Sequence, residues 1–348
     1  GLDLISQEGG SFAGPDVPPE SLPDGWQARA GFSFLYNIAR EDLPPETFCV
    51  DYRAQDRRGR IAPGREPHLR LHVLTVLQEA ALADGDPPQN RQGAPRRLKY
   101  LLLTRRDLTP PGRFRRNAGL ESVFVTVLEP YDREPFLRSV RLVPVRAETP
   151  DTAPVAVEIM TVDGRVDTLL ALDTAGNCQA EAIRMEGKFG FLAGRDGKVE
   201  IAKLMGGTRL EGPGFALTAA AGAYTGVIKE VLISNPADQR LRLSPPVPPP
   251  ARRPGRVLLV ANDGVQDAAY IVGGWPQASL ASLGAVSLAR GFKDKADPAQ
   301  GYLLNVNPGD PYVLPTFVSV ENPGSSVGRQ QANVPFRLNG LKVTSRRK

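Results

Sequence analysis

The side chains of this chain with the most useful chemistry lie together on the segment HLRLHVLTVL, which runs from His68 to Leu77. A β-strand alternates its side chains between two faces. The odd positions, beginning at Leu69, therefore form an apolar face, and His68, Arg70 and His72 share the other. Histidine and arginine can both carry positive charge and donate hydrogen bonds to anions. This face is either the contact surface for an anionic ligand or the solvated side of a half-exposed sheet.

The spacing of the two histidines argues against a metal site. On a helix, residues four apart lie on one face and could share an ion. On a strand that rises about 3.3 Å per residue, His68 and His72 are separated by roughly 13 Å, which no single metal ion can bridge. The sequence therefore predicts no metal site here.

The densest positive charge lies between Arg91 and Arg116, where Asp107 is the single acidic residue. The basic residues are Arg91, Arg96, Arg97, Lys99, Arg105, Arg106, Arg113, Arg115 and Arg116. Arg96, Arg97 and Arg105 flank the strand-like run LKYLLLT and are the candidates for ligand contact. The segment is either a docking surface for a polyanion, such as an acidic polysaccharide, or a pair of solvated loops.

The chain lacks the usual catalytic and cofactor motifs. It contains no phosphate-binding GxxxxGK[ST] loop, no HExxH zinc motif, no GxSxG nucleophile motif and no calcium loop. We therefore predict no catalytic residue, metal or cofactor. The 43 basic residues against 38 acidic ones indicate no nucleic-acid partner, and no apolar run is long enough to span a membrane. Cys49 and Cys178 are either two unrelated thiols, which we favour, or one bridge.

The elements that must position these residues are short β-strands. The 35 Gly and 33 Pro residues suit many turns, because both are poor in helix interiors. Asp163-Gly164 and Asp196-Gly197 each lie between apolar runs, and they predict tight hairpins. Residues 79–96 are predicted to form a loop.

The central stretch, LESVFVTVLEPYDREPFLRSVRLVPV, runs from Leu120 to Val145. Its β-branched and aromatic residues up to Leu128 predict a buried strand. A turn is predicted at residues 129–132, and a second strand follows from Phe136 to Val145. Tyr131 in this turn is either bonded to a backbone group, which we favour, or a catalytic acid.

Together these patterns predict an all-β protein. Residues 1–243 are expected to form a large antiparallel β-sandwich, and residues 256–348 a small C-terminal β domain. The Pro-rich segment SPPVPPPARRPG, residues 244–255, is predicted to link them.

The order of segments also resembles a known family. The runs GFSFLYNIAR, LRLHVL, LKYLLLTRRD and the central stretch are similar to the later β region of bacterial heparinase II/III-like polysaccharide lyases. AAYIVGGW, LARGFKD and YLLNVNPGDPYVL resemble the small C-terminal β domain of those lyases.

This resemblance implies an α-helical toroid, then a β-sandwich, then a small β domain. Such lyases cleave uronic-acid polysaccharides by β-elimination, and their substrates imply a periplasmic or secreted protein. The toroid of the same protein would be the partner of this chain, which is expected to be a piece of a longer or processed protein and inactive alone. His68, Arg70, His72, Arg96, Arg97 and Arg105 would then contact an acidic polysaccharide.

The alternative is a carbohydrate-binding or structural β module without a catalytic role. A binding module would need an exposed aromatic platform. The candidates Trp26, Trp275 and Tyr312 are scattered along the chain.

Overall fold

The computed structural model describes residues 35–42, 44, 46–54, 59–85, 97–105, 122–148, 153–262 and 269–321. The predicted all-β class is confirmed: antiparallel strands form every sheet in these ranges, and none of the described helices reaches seven residues. The chain divides into two compact units, residues 1–140 and 141–348. Each unit is described by itself.

The first unit contains two three-stranded sheets. One has the strand order β1-β4-β5, and the other has the order β2-β3-β6. The strands are β1 (Leu35–Asp42), β2 (Phe48–Arg53), β3 (Pro67–Val73), β4 (Glu79–Gly85), β5 (Leu98–Thr104) and β6 (Thr126–Asp132).

Two local predictions in this unit are wrong. Residues 79–85 form the central strand β4 instead of a loop, because Ala80, Ala81 and Ala83 are small enough to be completely buried there. The predicted turn at residues 129–132 is the second half of β6, and Val123, Phe124 and Leu128 are exposed. Proline 130 is tolerated because β6 is an edge strand.

A nine-stranded antiparallel sheet begins with β7, which crosses the boundary at residue 140. Its main strand order is β14-β13-β11-β10-β9-β7, with β8 paired to β10, β12 to β11, and β24 to β12. The strands are β7 (Leu137–Leu142), β8 (Val145–Ala147), β9 (Val155–Thr161), β10 (Val166–Ala180), β11 (Ile183–Arg195), β12 (Lys198–Met205), β13 (Arg209–Gly212), β14 (Phe215–Thr218) and β24 (Phe317–Glu321). Both predicted Asp-Gly hairpins are present, with positive φ at Gly164 and Gly197.

The two longest strands, β10 and β11, each pair with different strands in their first and second halves, so that both take part in two halves of this sheet. β10 pairs with β9 up to Ala171 and with β8 from Cys178, while β11 pairs with β12 from Phe189 and with β13 up to Glu186. Buried residues from both halves form one core cluster. Its members include Leu170, Leu172, Cys178, Met185, Leu192, Leu204 and Leu210. The sheet therefore bends over a shared core, which gives this part of the chain its sandwich-like character.

A smaller seven-stranded sheet follows, in the order β18-β17-β23-β15-β16-β20-β19. The strands are β15 (Ala223–Leu232), β16 (Gln239–Ser244), β17 (Arg256–Val260), β18 (Ala269–Val272), β19 (Gly274–Gln277), β20 (Leu280–Gly284) and β23 (Pro311–Pro315). A two-stranded sheet pairs β21 (Ala289–Phe292) with β22 (Tyr302–Leu304), and the short 3₁₀ helices are Pro249–Ala251 and Pro298–Gln300.

The Pro-rich segment at residues 244–255 lies between strands of this one sheet. β15 and β16 precede it, whereas β17 to β20 and β23 follow it. Val247 and Ala251, within the segment, are each only 2% exposed and belong to the core of the sheet. Residues on both sides of the predicted linker thus share a core.

Cys49 and Cys178 are both free thiols. The described part of the chain contains no helix with the length and hydropathy needed to cross a membrane.

Candidate functional site

Three strands of the first unit place the predicted histidines and arginine on one face. In the sheet β2-β3-β6, the central row consists of Asp51, Arg70 and Glu129. The row on one side of it is Cys49, His72 and Val127, and the row on the other side is Arg53, His68 and Tyr131. These nine residues are called the His–Arg face below. Their side chains share a face because each strand alternates and the three strands are in register.

Asp51 is the centre of a hydrogen-bond network on this face. Its Oδ1 atom lies 2.7 Å from Nδ1 of His68, and its Oδ2 atom accepts a 3.0 Å hydrogen bond from Nε of Arg70. The Tyr131 hydroxyl donates to Oδ2 of Asp51 and accepts a 3.1 Å hydrogen bond from Nη2 of Arg70. The three side chains are therefore held around one carboxylate.

Aromatic contacts hold the same three residues from a second direction. The rings of His68 and Tyr131 are stacked, with centroids 4.9 Å apart and planes inclined by 14°. The guanidinium carbon of Arg70 lies 5.2 Å from the centroid of the Tyr131 ring, within the range of a cation–π interaction.

His72 belongs to a separate and more deeply buried pair. Its Nε2 atom lies 2.8 Å from Oε2 of Glu129, whose side chain is 0% exposed. The other oxygen of Glu129 accepts backbone hydrogen bonds of 2.7 Å from both Phe136 and Leu137. Glu129 therefore fixes the imidazole and also holds the chain where it leaves β6.

The network sets the protonation states on this face. Burial alone would raise the pKa of Asp51, but hydrogen bonds from Tyr131, His68 and Arg70 outweigh it and lower that pKa. The pKa of Arg70 is raised, because the bond to Asp51 outweighs the effect of burial. Burial and the bond to Asp51 together raise the pKa of Tyr131. At neutral pH Asp51 is therefore a carboxylate, Arg70 a guanidinium cation and Tyr131 a neutral phenol.

Parts of the apolar side of this sheet are more exposed to solvent than the histidines on the His–Arg face. Leu69 is 40% exposed and Leu128 is 60% exposed, whereas the side chains of His68 and His72 are 20% and 17% exposed. The apolar face predicted for the odd positions, beginning at Leu69, is therefore not buried throughout. The His–Arg face is a half-buried, internally bonded surface.

Two of the arginines predicted from the basic segment, Arg97 and Arg105, flank β5 of the other sheet of the unit. Arg97 directly precedes β5, and its Nη1 atom is 3.9 Å from Oδ2 of Asp84. Lys99 approaches the same carboxylate at 2.7 Å. Arg105 directly follows β5, and Arg96 lies outside the described residues. Three of the six predicted contact residues, His68, Arg70 and His72, are thus brought together.

Sequence reasoning missed Asp51, Glu129 and Tyr131 as members of the network. Asp51 has no motif, and Glu129 and Tyr131 were assigned to a turn. The only available signal was the alternation of each strand, which shows face but not register. Among the described residues, no group of three or more His, Cys, Asp or Glu side chains is placed to hold a metal ion.

The aromatic candidates also have defined positions. Tyr312 is 2% exposed and donates to the carbonyl of Pro245, and Trp275 is half-buried and donates to the carbonyl of Arg253. Trp26 lies outside the described residues. An exposed aromatic pair is present instead on β21 and β22, where Phe292 and Tyr302 stack at 5.0 Å.

No family model and no curated protein matches this chain.

Proposed function

We propose that this chain is the β region of a heparinase II/III-like polysaccharide lyase, and that its His–Arg face contacts an acidic polysaccharide. The observation that supports this most is the network itself. His68, Arg70 and His72 lie on one half-buried face, each held by a carboxylate, with Tyr131 beside them. Side chains held in this way lose little conformational freedom when a ligand binds.

Arg70 is the residue that we assign to a uronate carboxylate. Its Nε and Nη2 atoms bond to Asp51 and Tyr131, while no described residue accepts a hydrogen bond from Nη1. A guanidinium presents a planar set of donors that matches a carboxylate. Asp51 therefore orients Arg70 and leaves donors for a ligand.

This chain would position the substrate through its carboxylate, and another part of the lyase would carry out the rest of the reaction. β-Elimination from a uronate needs a group that neutralises the carboxylate, a base for the α-proton and an acid for the leaving oxygen. We assign the missing groups to an α-helical toroid of the same protein, located with its substrate in the periplasm or outside the cell. The chain alone is expected to form no unsaturated uronate product, which absorbance of the product would reveal.

The experiment that tests this proposal is a titration with three polymers at low and at high ionic strength. The polymers are a sulfated glycosaminoglycan, alginate and a neutral glucan. Binding to one uronate polymer that weakens with salt is expected, because salt screens ionic contacts. Arg70→Gln should weaken that binding about tenfold, the loss of one charge-assisted hydrogen bond.

Arg242→Gln is the matched control, since Arg242 is also a strand arginine in an ion pair, with Glu230, and lies in the other unit. It should bind as the unaltered chain does. Binding that is equal in both variants, or the absence of binding to either uronate polymer, would contradict the proposal.

A further inference from the structure

A second candidate site lies on the nine-stranded sheet, within the second unit. A groove of about 920 Å³ is formed by β8, the second half of β10, the first half of β11 and β13. This volume falls within the range of about 300–1,000 Å³ that is usual for ligand sites in proteins. The groove begins beside the bend of the sheet, where Gly176 of β10 pairs with Gly187 of β11.

The strand register arranges the polar side chains of the groove in two rows. The first row crosses the four strands through Arg146, Gln179, Arg184 and Glu211. The second row lies two residues away along the strands, through Glu148, Asn177, Glu186 and Arg209. Because alternate residues share a face, both rows lie on the same side of the sheet.

Each central amide has charged neighbours of one sign. Gln179 lies between Arg146 and Arg184, and Asn177 lies between Glu148 and Glu186. With strands about 4.8 Å apart, the two arginines are roughly 10 Å apart at their backbones, and so are the two glutamates. The rows are separated by about 7 Å.

Several of these groups keep free hydrogen-bonding capacity. Arg209 pairs with Glu211 at 2.6 Å, Asn177 donates a 2.8 Å hydrogen bond to Glu148, and Gln179 donates a 2.9 Å hydrogen bond to the carbonyl of Glu181. In the part of the chain that the structure describes, the side chains of Arg146, Arg184 and Glu186 have no ion-pair partner. The groove thus offers unpaired donors on one row and an unpaired acceptor on the other.

The balance of charge selects the chemical class of the ligand. The two rows contain three arginines and three glutamates, and a fourth lining glutamate, Glu181, lies 3.4 Å from Arg141, so the groove has no excess of positive charge. A polyanion that approached the arginine row would meet the glutamate row about 7 Å away. An uncharged, hydroxyl-rich ligand meets no such repulsion, because each hydroxyl both donates and accepts hydrogen bonds.

We infer that this groove binds an uncharged oligosaccharide through hydrogen bonds, with Asn177 and Gln179 at the centre of the contact. It would do so without the aromatic platform expected of a carbohydrate-binding module, since none of the described residues that line the groove is aromatic. This site is separate in residues and in charge from the His–Arg face. It does not depend on the proposed contact with an acidic polysaccharide, since the groove lies wholly in the second unit.

The test is a titration of the full chain with uncharged oligosaccharides, followed by calorimetry or by ligand-observed NMR. Cellohexaose, xylohexaose and mannohexaose serve as probes, and a heparin hexasaccharide is the charged comparison. Binding of at least one uncharged probe is expected, and high salt should change its affinity less than twofold. The double variant Asn177→Ala with Gln179→Ala should weaken that binding at least tenfold.

Two control variants make the result specific. Gln277→Ala removes an exposed strand amide outside the groove and should bind normally. Phe292→Ala with Tyr302→Ala removes the exposed aromatic pair and should also bind normally. Thermal unfolding of each variant shows whether it is folded.

Three outcomes would overturn the inference. One is that no uncharged probe binds, and another is that only the heparin hexasaccharide binds. The third is that binding is lost in the Phe292 and Tyr302 variant while the Asn177 and Gln179 variant retains it. The test of the His–Arg face uses Arg70 and anionic polymers. A negative result at one site would therefore not affect the interpretation of the result at the other site.

Discussion

At the scale of single residues, Asp51 is the side chain that organises the His–Arg face. It accepts hydrogen bonds from two neighbouring strands, and its side chain is 29% exposed. Asp51→Asn removes the charge that holds His68, Arg70 and Tyr131. We expect a loss of roughly 1–3 kcal/mol in the free energy of unfolding, the usual cost of losing hydrogen bonds to a charged group.

The pH dependence of that loss follows from the lowered pKa of Asp51. A carboxyl whose pKa is lower in the folded chain than its ordinary 3.8 stabilises the fold fully above that ordinary value. The contribution is lost as the pH falls through the folded pKa. Urea unfolding should therefore show a difference between Asp51→Asn and the unaltered chain at neutral pH that closes in strong acid.

The control for this measurement is Asp196→Asn. Asp196 is exposed in a hairpin turn with φ of 51°, a conformation that Asn tolerates well. Its stability should match that of the unaltered chain at every pH. A constant difference for Asp51→Asn from neutral to strong acid would show that the charge of Asp51 does not contribute.

Glu129 is the second residue whose role can be measured. Its buried carboxylate bonds to His72 and to two backbone N–H groups at 2.7 Å. Glu129→Ala leaves these donors without a partner and should cost about 3 kcal/mol in the free energy of unfolding. Glu129→Gln keeps an acceptor and should cost less.

Glu230→Ala provides the comparison, because the Glu230 side chain is 48% exposed and forms its ion pair, with Arg242, at the surface. It should change stability by less than about 0.5 kcal/mol. Equal losses for the alanine variants of Glu129 and Glu230 would refute the role assigned to Glu129. Urea unfolding of the three variants decides this.

At the scale of elements, Gly207 approaches the backbone of β11 closely at Gly187, within the nine-stranded sheet. A Cβ atom on Gly207 would lie 2.3 Å from the carbonyl oxygen of Glu186 and 2.4 Å from Cα of Gly187. Gly207→Ala must therefore push the backbone apart, at a cost of roughly 1–3 kcal/mol.

Gly274→Ala is the matched substitution, since nothing lies within 4 Å of a Cβ atom there and φ is not positive. It should leave the melting temperature unchanged, whereas Gly207→Ala should lower it. A similar melting temperature for both variants would show that the sheet does not need this approach.

The hairpins and strand β4 show which elements could be predicted from the sequence alone. The hairpins at Gly164 and Gly197 were predicted because their turn residues determine the local geometry. Strand β4 was not, because EAALADG has a composition that favours helix or loop, and only burial between β1 and β5 makes it a strand. The shared face of His68, Arg70 and His72 followed from alternation, while Asp51 and Tyr131 depended on register between distant segments.

At the scale of the whole molecule, the seven-stranded sheet joins residues on both sides of the Pro-rich segment. β15 pairs with β23, and β16 pairs with β20, so that each pair connects a strand before residue 244 to one after residue 255. Ile228, Leu241 and Leu243 pack in the same core cluster as Leu258 and Leu314. A sheet divided at this segment would lose ladder hydrogen bonds and core contacts together.

This arrangement predicts the behaviour of a chain that is cut in the segment. A protease site inserted between Pro254 and Gly255, both exposed, should allow cleavage without disturbing a strand. The two pieces should then elute together in size-exclusion chromatography under native conditions and separate in urea. Residues 256–348 expressed alone should be unfolded by circular dichroism, because β23 and β20 lack their partners. A native, independently folded C-terminal piece would instead establish residues 244–255 as a linker between domains.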